Sequence, residues 1–154
     1  MPLNQALVGK AYPAVRYEVG REKLREFAIA VGETDPIYHD EAAARAVGHP
    51  DIPAVPTFAV VLSLRAGQVV YGDPELGLDY SRVVHGEQEF VYHRPIRAGD
   101  RLLATGKVAA AQAKGRHELL TLETEVKTEG GEPVCLVRGT LLSRGTAPPR
   151  EGRA

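Results

Sequence analysis

The chain has 154 residues, a formal net charge of -1 and a single cysteine, Cys135. That length fits one domain with a core large enough to hold without cross-links. The near-neutral charge gives no electrostatic reason for a nucleic-acid or anionic-membrane partner, and one thiol excludes an internal disulfide, so a reducing, cytoplasmic setting is expected.

The N-terminus, Met1-Pro2-Leu3-Asn4-Gln5, lacks the basic stretch and apolar core of a secretory signal. No apolar run reaches membrane-spanning length. Tyr12 to Val19 reads as a short extended lead-in broken by Pro13. A helix is predicted from near Arg21 to about Val31, because Leu24, Phe27, Ala28 and Val31 recur at helical spacing and Gly32 follows as a stop. After the loop Gly32 to Asp40, a second helix covers about Asp40 to Val47, capped by Asp40 and ended by Gly48. His49 to Pro56 holds Pro50, Pro53 and Pro56 and is expected to be extended and stiff. Thr57 to Tyr71 reads as a helix that is apolar nearly all round, capped by Thr57, and such a helix calls for protein on every side.

The period then changes. Val84, Gly86, Gln88, Phe90 and Tyr92 alternate with polar neighbours, as do Leu120, Leu122, Thr124 and Val126. Alternation by two predicts strands with one buried face. Arg97-Ala98-Gly99-Asp100 turns into a strand from Arg101 to about Ala111, Lys114-Gly115-Arg116 is a turn, and Glu129-Gly130-Gly131-Glu132 is a hairpin loop before a last strand from about Val134 to Ser143. Residues 1–144 therefore form one α+β domain, with helices first and an antiparallel meander after them. A curved sheet wrapped around the long apolar helix satisfies the pattern, and a two-layer sheet with helices on one face is the alternative. The tail from Gly145 to Ala154, rich in Pro, Gly and Arg, is expected to be disordered.

The chemistry-bearing run is Gly32-Glu33-Thr34-Asp35-Pro36-Ile37-Tyr38-His39-Asp40. It crowds titratable groups onto a loop between two apolar-faced helices. Asp35 and Asp40 read as turn and cap residues. His49, His93 and His117 read as surface or structural groups. There is no Cys/His cluster with metal-ligand spacing, no phosphate-binding glycine loop and no Gly-x-Ser-x-Gly elbow, so neither metal nor cofactor is expected.

This loop, together with Tyr17-Glu18-Val19, Arg21 to Ala28, Ala54-Val55-Pro56-Thr57-Phe58, Val84-His85-Gly86-Glu87-Gln88 and Arg94-Pro95-Ile96-Arg97-Ala98-Gly99-Asp100, resembles the MaoC-type dehydratases of hotdog fold. The resemblance runs from about Leu3 to Ser143. It points to small actinobacterial single-hotdog proteins, a group that includes the acyl-binding subunit of a two-component (3R)-hydroxyacyl-carrier-protein dehydratase. Active members carry a Gly-Asp-x-Asn-Pro-Ile-His loop, whose Asp and His together handle the proton and water of the hydroxyacyl thioester. Here Glu33 stands at the Asp position, Asp35 at the Asn and Tyr38 at the His. The extra methylene of Glu33 shifts its oxygens on the scale, about 1 Å, at which misplacement costs ~100-fold. A phenol with a pKa of about 10 is a poor proton acceptor near neutrality. His39 is the nearest imidazole, one residue along, and a one-residue step into a helix turns a side chain by about 100°. Two readings stay open: a Glu33/His39 pair that works, or a chain inactive by itself, and the second is preferred.

The resemblance also implies a role for the start of the central helix at Thr57 and Phe58, whose free N–H groups and partial positive charge would polarise a thioester carbonyl, although ordinary capping explains the same residues. His85, beside a glycine that lets another backbone come close, is a substrate-binding candidate or a satisfied strand histidine. Hotdog thioesterases are expected to carry an acid on the central helix, and Thr57 to Tyr71 has none. The implied ligand is an acyl thioester of coenzyme A or acyl carrier protein. The implied assembly is a heterodimer with a MaoC-type catalytic chain, or a homodimer that only binds.

Overall fold

The structure, a computed structural model, describes residues 1–148. Five strands form one antiparallel sheet: β1 (Val15–Glu18), β2 (Val83–Tyr92), β3 (Arg101–Lys114), β4 (His117–Thr128) and β5 (Pro133–Ser143). Three helices precede all but the first strand: α1 (Arg21–Ala30), α2 (Glu41–Ala46) and α3 (Ala59–Tyr71). The spatial order is β1-β3-β4-β5-β2. Thus β3, β4 and β5 make the expected meander, while β2 crosses to the far edge beside β5. The lead-in becomes β1 on the opposite edge, paired with β3 from Val15 opposite Ala104 to Glu18 opposite Arg101.

Alternation along the long strands separates two faces. On β4, Glu118, Leu120, Leu122, Thr124 and Val126 are buried. Their neighbours build an ionic ladder across the outer face. Lys107 reaches Glu123 at 3.0 Å, Arg138 bonds Glu123 and Glu89 at 2.9 Å each, and four strands are thereby crossed. Exposed pairs of this kind add little stability. They do reinforce the register that the buried face sets.

The buried face wraps α3. Phe58 is fully buried and meets Phe27 edge-on, with ring centroids 5.3 Å apart. It anchors a cluster with Ile52, Leu62, Ile96, Leu102 and Val126. Truncating such a side chain typically costs ~3–5 kcal/mol. A second cluster, with Leu3, Val70, Leu76, Leu120 and Leu141, packs under the C-terminal half of α3. The buried Glu118 accepts the Leu3 N–H with both carboxylate oxygens at 3.0 Å, which ties the N-terminal segment to the sheet.

The central helix and β2 both depart from expectation. The central helix does not start at Thr57. A turn over residues 55–58 comes first, with the Phe58 N–H donating to the Val55 carbonyl at 2.9 Å, and the cap position falls on Phe58, which has no side-chain acceptor. Nor is the helix covered all round. Leu64 is 52% exposed, and Arg65, Gln68 and Val69 face out with it, because the curved sheet encloses only the side that carries Leu62, Ala66 and Val70.

The second departure concerns β2. A bulge between His85 and Glu87 leaves Gly86 without a partner on β5. The extra residue moves the alternation by one. Val83 and His85 therefore join Gln88 on the face toward α3, and Val84, expected inside, is 40% exposed. At Gly86 a Cβ would stand 3.1 Å from the Thr140 carbonyl oxygen, the close backbone approach that its glycine suggested.

The tail expectation falls mostly outside the described residues. Within them, the Gly145 N–H donates to His117 Nδ1 at 3.1 Å and the Ala147 N–H to the Arg116 carbonyl at 3.3 Å.

Candidate functional site

The loop between α1 and α2 is held by its own side chains. A Glu33 carboxylate oxygen accepts the Asp35 N–H at 2.9 Å, and Asp35 in turn accepts the Ile37 N–H at 3.1 Å, opening a 3-10 turn over Pro36–Tyr38. Asp40 accepts the Ala43 N–H at 2.7 Å and caps α2, as expected. The His39 ring meets the backbone carbonyl of Glu33 at 2.7 Å through Nε2. A carbonyl only accepts, so Nε2 is the donor. Arg25 from α1 donates to the His39 carbonyl at 2.7 Å. Glu33 and His39 are thus connected through a main-chain oxygen, with the carboxylate engaged elsewhere.

Tyr38 points into a cleft of about 390 Å³. Its other walls come from the stiff connector, with His49, Ala54 and Pro56, and from the end of β2, with Tyr92 and His93. The Tyr92 hydroxyl donates to the Pro56 carbonyl at 2.6 Å and pins the entry of α3 to the sheet. Burial, and then the charges of Glu33 and Asp35, push the Tyr38 phenol above its ordinary range. It therefore stays a protonated phenol near neutrality, with no phenolate at hand to take a proton. Arg94 also borders the cleft, but its guanidinium is held by Asp100 at 2.8 and 3.1 Å and by Glu132 at 3.1 Å. His49 and His93, set aside on sequence, both line this opening. No local spacing marks them, since they reach it from segments far apart in the chain.

Thr57 is exposed at the turn before α3, and its carbonyl accepts the Val60 N–H at 3.1 Å. Phe58 is fully buried, its N–H donates to the Val55 carbonyl and its carbonyl accepts the Val61 N–H, each at 2.9 Å, so it offers a ligand no free group. His85 lines a second cavity, of about 220 Å³, between α3 and the sheet. Its Nε2 lies 3.1 Å from the Gln88 side-chain oxygen, while the Gln88 amide donates to the Arg138 carbonyl at 3.0 Å. That second bond fixes which end of the Gln88 amide faces His85, and so makes Nε2 the donor. The sequence-predicted residues thus divide between two openings: Tyr38 on the first, His85 on the second, with Glu33 and His39 building the loop beside the first.

Neither opening offers a ready nucleophile from cysteine. Cys135 is buried, and burial pushes its thiol up to about 12, so it stays protonated near neutrality. Among the described residues no group of three or more His, Cys, Asp or Glu side chains is placed to hold a metal ion. No helix there is long and apolar enough to cross a membrane.

One long helix cradled by a five-stranded antiparallel sheet, with an acidic turn leading toward its N-terminal end, defines a hotdog protein of the dehydratase class. More particularly, the chain belongs to the FAS1-like dehydratase domain region family, whose model matches residues 6–137. It is 52% identical over 99% of its length to a UPF0336 protein of Saccharopolyspora erythraea, covering 98% of that relative. A UPF0336 protein of Streptomyces coelicolor is 50% identical over 94% of this chain and 97% of its own length. Among solved structures, a chain of the HadBC (3R-hydroxyacyl-ACP dehydratase) complex from Mycobacterium tuberculosis superposes with a TM-score of 0.79 at 27% identity, over 88% of this chain and 96% of that one. A MaoC-like dehydratase gives a TM-score of 0.83 at 29% identity, over 91% of this chain and 43% of that one. The ChsH1-ChsH2 complex from Mycobacterium tuberculosis, at 23% identity and a TM-score of 0.73 over 93% and 92% of the two chains, shares the fold.

Proposed function

We propose that this chain is one hotdog subunit of a (3R)-hydroxyacyl-thioester dehydratase. It binds the acyl chain between α3 and the sheet, and a MaoC-type partner chain supplies the Asp/His pair. The observation that carries this reading is the wiring of the loop. Glu33 stands where active relatives have Asp, Tyr38 stands where they have His, and the carboxylate and the nearby imidazole are both engaged with the loop's own backbone. Proton transfer needs a group free to reach the substrate. The open β2 edge supports a second subunit, since pairing there continues the sheet and covers an unpaired strand. The likeness to a chain of a 3R-hydroxyacyl-ACP dehydratase complex points the same way.

The test is to co-express the chain with a MaoC-type partner and assay hydration of trans-2-enoyl thioesters. The isolated chain is expected to be inactive. The complex is expected to be active, to keep its rate within about twofold in Glu33→Gln, and to lose at least ~100-fold when the partner's carboxylate is removed. Activity of the isolated chain that disappears in Glu33→Gln would overturn the assignment. A second reading is favoured by the same exposed edge, which a copy of this chain also fits: a non-catalytic homodimer that binds acyl thioesters. Light scattering separates the two, because a tight homodimer that ignores MaoC-type chains supports only the second.

A further inference from the structure

The cavity behind His85 has a direction. Its helical wall runs from Val60 to Tyr71, a rise of roughly 16 Å at 1.5 Å per residue. Its sheet wall runs the same way. Gln88 pairs with Gly139 near the start and Val83 with Ser143 near the finish, while the N-terminal half of α3 packs with Val137 and the C-terminal half with Leu141. The polar groups Ser63 and Gln88 lie toward the start, His85 sits opposite Leu141 further along with its ring reaching back to Gln88, and among the described residues no Asp, Glu, Lys or Arg lines the space. A cavity without charged side chains, walled along its length by Val60, Leu64, Leu122 and Leu141, fits the tail of an acyl thioester.

Two tyrosines close the other end. The rings of Tyr71, the last residue of α3, and Tyr80, on the 3-10 turn before β2, lie 5.6 Å apart. The Tyr71 ring is folded back over Gly67, where a Cβ would stand 2.9 Å from ring carbon Cε2. Gly67 is therefore the seat that lets this ring lie flat against its own helix. Tyr80 is 62% exposed, so its ring is placed by its turn and by Tyr71, with little help from the core. The cavity volume, about 220 Å³, is below the roughly 300–1,000 Å³ typical of pockets for drug-sized ligands.

From this arrangement we infer that Tyr71 and Tyr80 are the end-stop of the acyl channel and set the longest chain it accepts, with Gly67 positioning the Tyr71 ring. The inference rests on the acyl-binding reading above and adds the residues that decide specificity. Up to the stop, each buried methylene tightens binding by roughly fourfold; beyond it the gain ceases.

The experiment titrates trans-2-enoyl-coenzyme A thioesters of graded even chain length into the full chain, alone and with its MaoC-type partner, by calorimetry. The wild type is expected to show affinity rising with length and then a break. Tyr80→Ala and Tyr71→Leu are expected to move the break to longer chains and to leave shorter ligands within about twofold. Gly67→Ala, which displaces the Tyr71 ring into the channel, is expected to move it to shorter ones. Because Tyr80 lies at the surface, Tyr80→Ala keeps the test valid if Tyr71→Leu fails to fold. A break that stays in place in the folded variants overturns the end-stop while leaving acyl binding intact. Absence of binding at every length, with and without the partner, overturns the acyl-binding reading and the end-stop together.

Discussion

Glu33, Asp35 and Asp40 each turn a carboxylate onto a backbone N–H two or three residues ahead. Asp73 and Asp79 do the same far from this loop, accepting from Glu75 and Ser81 at 2.9 and 3.1 Å. The acids of the loop thus follow a habit of the whole chain, in which a short acid starts a 3-10 turn or caps a helix. For Asp35 and Asp40 the sequence was enough, because turn and cap chemistry is local. The partner of His39 was not legible: that contact depends on how the loop closes on itself, which spacing alone does not reveal.

Arg21 and Asp51 show what holds the loop's frame. Arg21, the first residue of α1, makes a two-point contact with Asp51 at 2.8 and 3.0 Å and reaches Glu41 of α2 at 3.1 Å. The Arg21 guanidinium and the Ile52 N–H hold the Asp51 carboxyl at about 2, below the usual carboxylate range. A depressed folded-state pKa contributes stability above the unfolded value of about 3.9, and that contribution is lost as pH falls through the folded value. Wild type is therefore expected to be more stable than Asp51→Asn at pH 7, with a gap that narrows between about pH 4 and 2 and closes below. Because Arg21 is partly exposed, the gap is expected to be small and to shrink in salt. Urea titrations across that range check it, and a gap that grows toward pH 2 would contradict the assignment.

At the scale of single elements, the strands of the second half were readable because one buried face enforces a period of two, and β4 keeps that alternation from Glu118 to Val126. The failure on β2 has a specific cause. Its apolar residues point to one phase, and the bulge at Gly86 inserts a residue and reverses it for everything before. An isolated glycine within a strand is a recognised sign of a bulge. Where the slip occurs, however, depends on pairing with β5. The consequence is functional, since the bulge brings His85 to the helix-facing side. Gly86→Val places a branched side chain 3.1 Å from the Thr140 carbonyl and is expected to cost ~1–3 kcal/mol, read as a lower urea midpoint with an unchanged slope. An unchanged midpoint would mean that the bulge is not held by this close approach. The central helix was misread for a related reason: an almost wholly apolar sequence implies burial, but cannot say whether the covering surface belongs to the same chain.

For the molecule as a whole, some of the exposed apolar residues bear on the proposed second subunit. Leu64 on α3 and Val84 and Val91 on the edge strand β2 are all exposed, and a scattered few such residues would need no explanation. Here, however, they lie on β2, the longer of the two edge strands, and on the helix face that the sheet leaves bare. In the proposed assembly a second hotdog docked at β2 would extend the sheet and bring apolar surface toward both. Leu64→Asp and Val91→Lys are then expected to weaken assembly by about tenfold or more while leaving the fold of each chain intact, because neither side chain belongs to either core cluster. Light scattering over a dilution series, with far-ultraviolet circular dichroism as the folding control, reads this directly. If both variants keep the wild-type mass at every concentration, the second subunit does not sit on this edge, and the channel beside it must be completed by the chain's own residues.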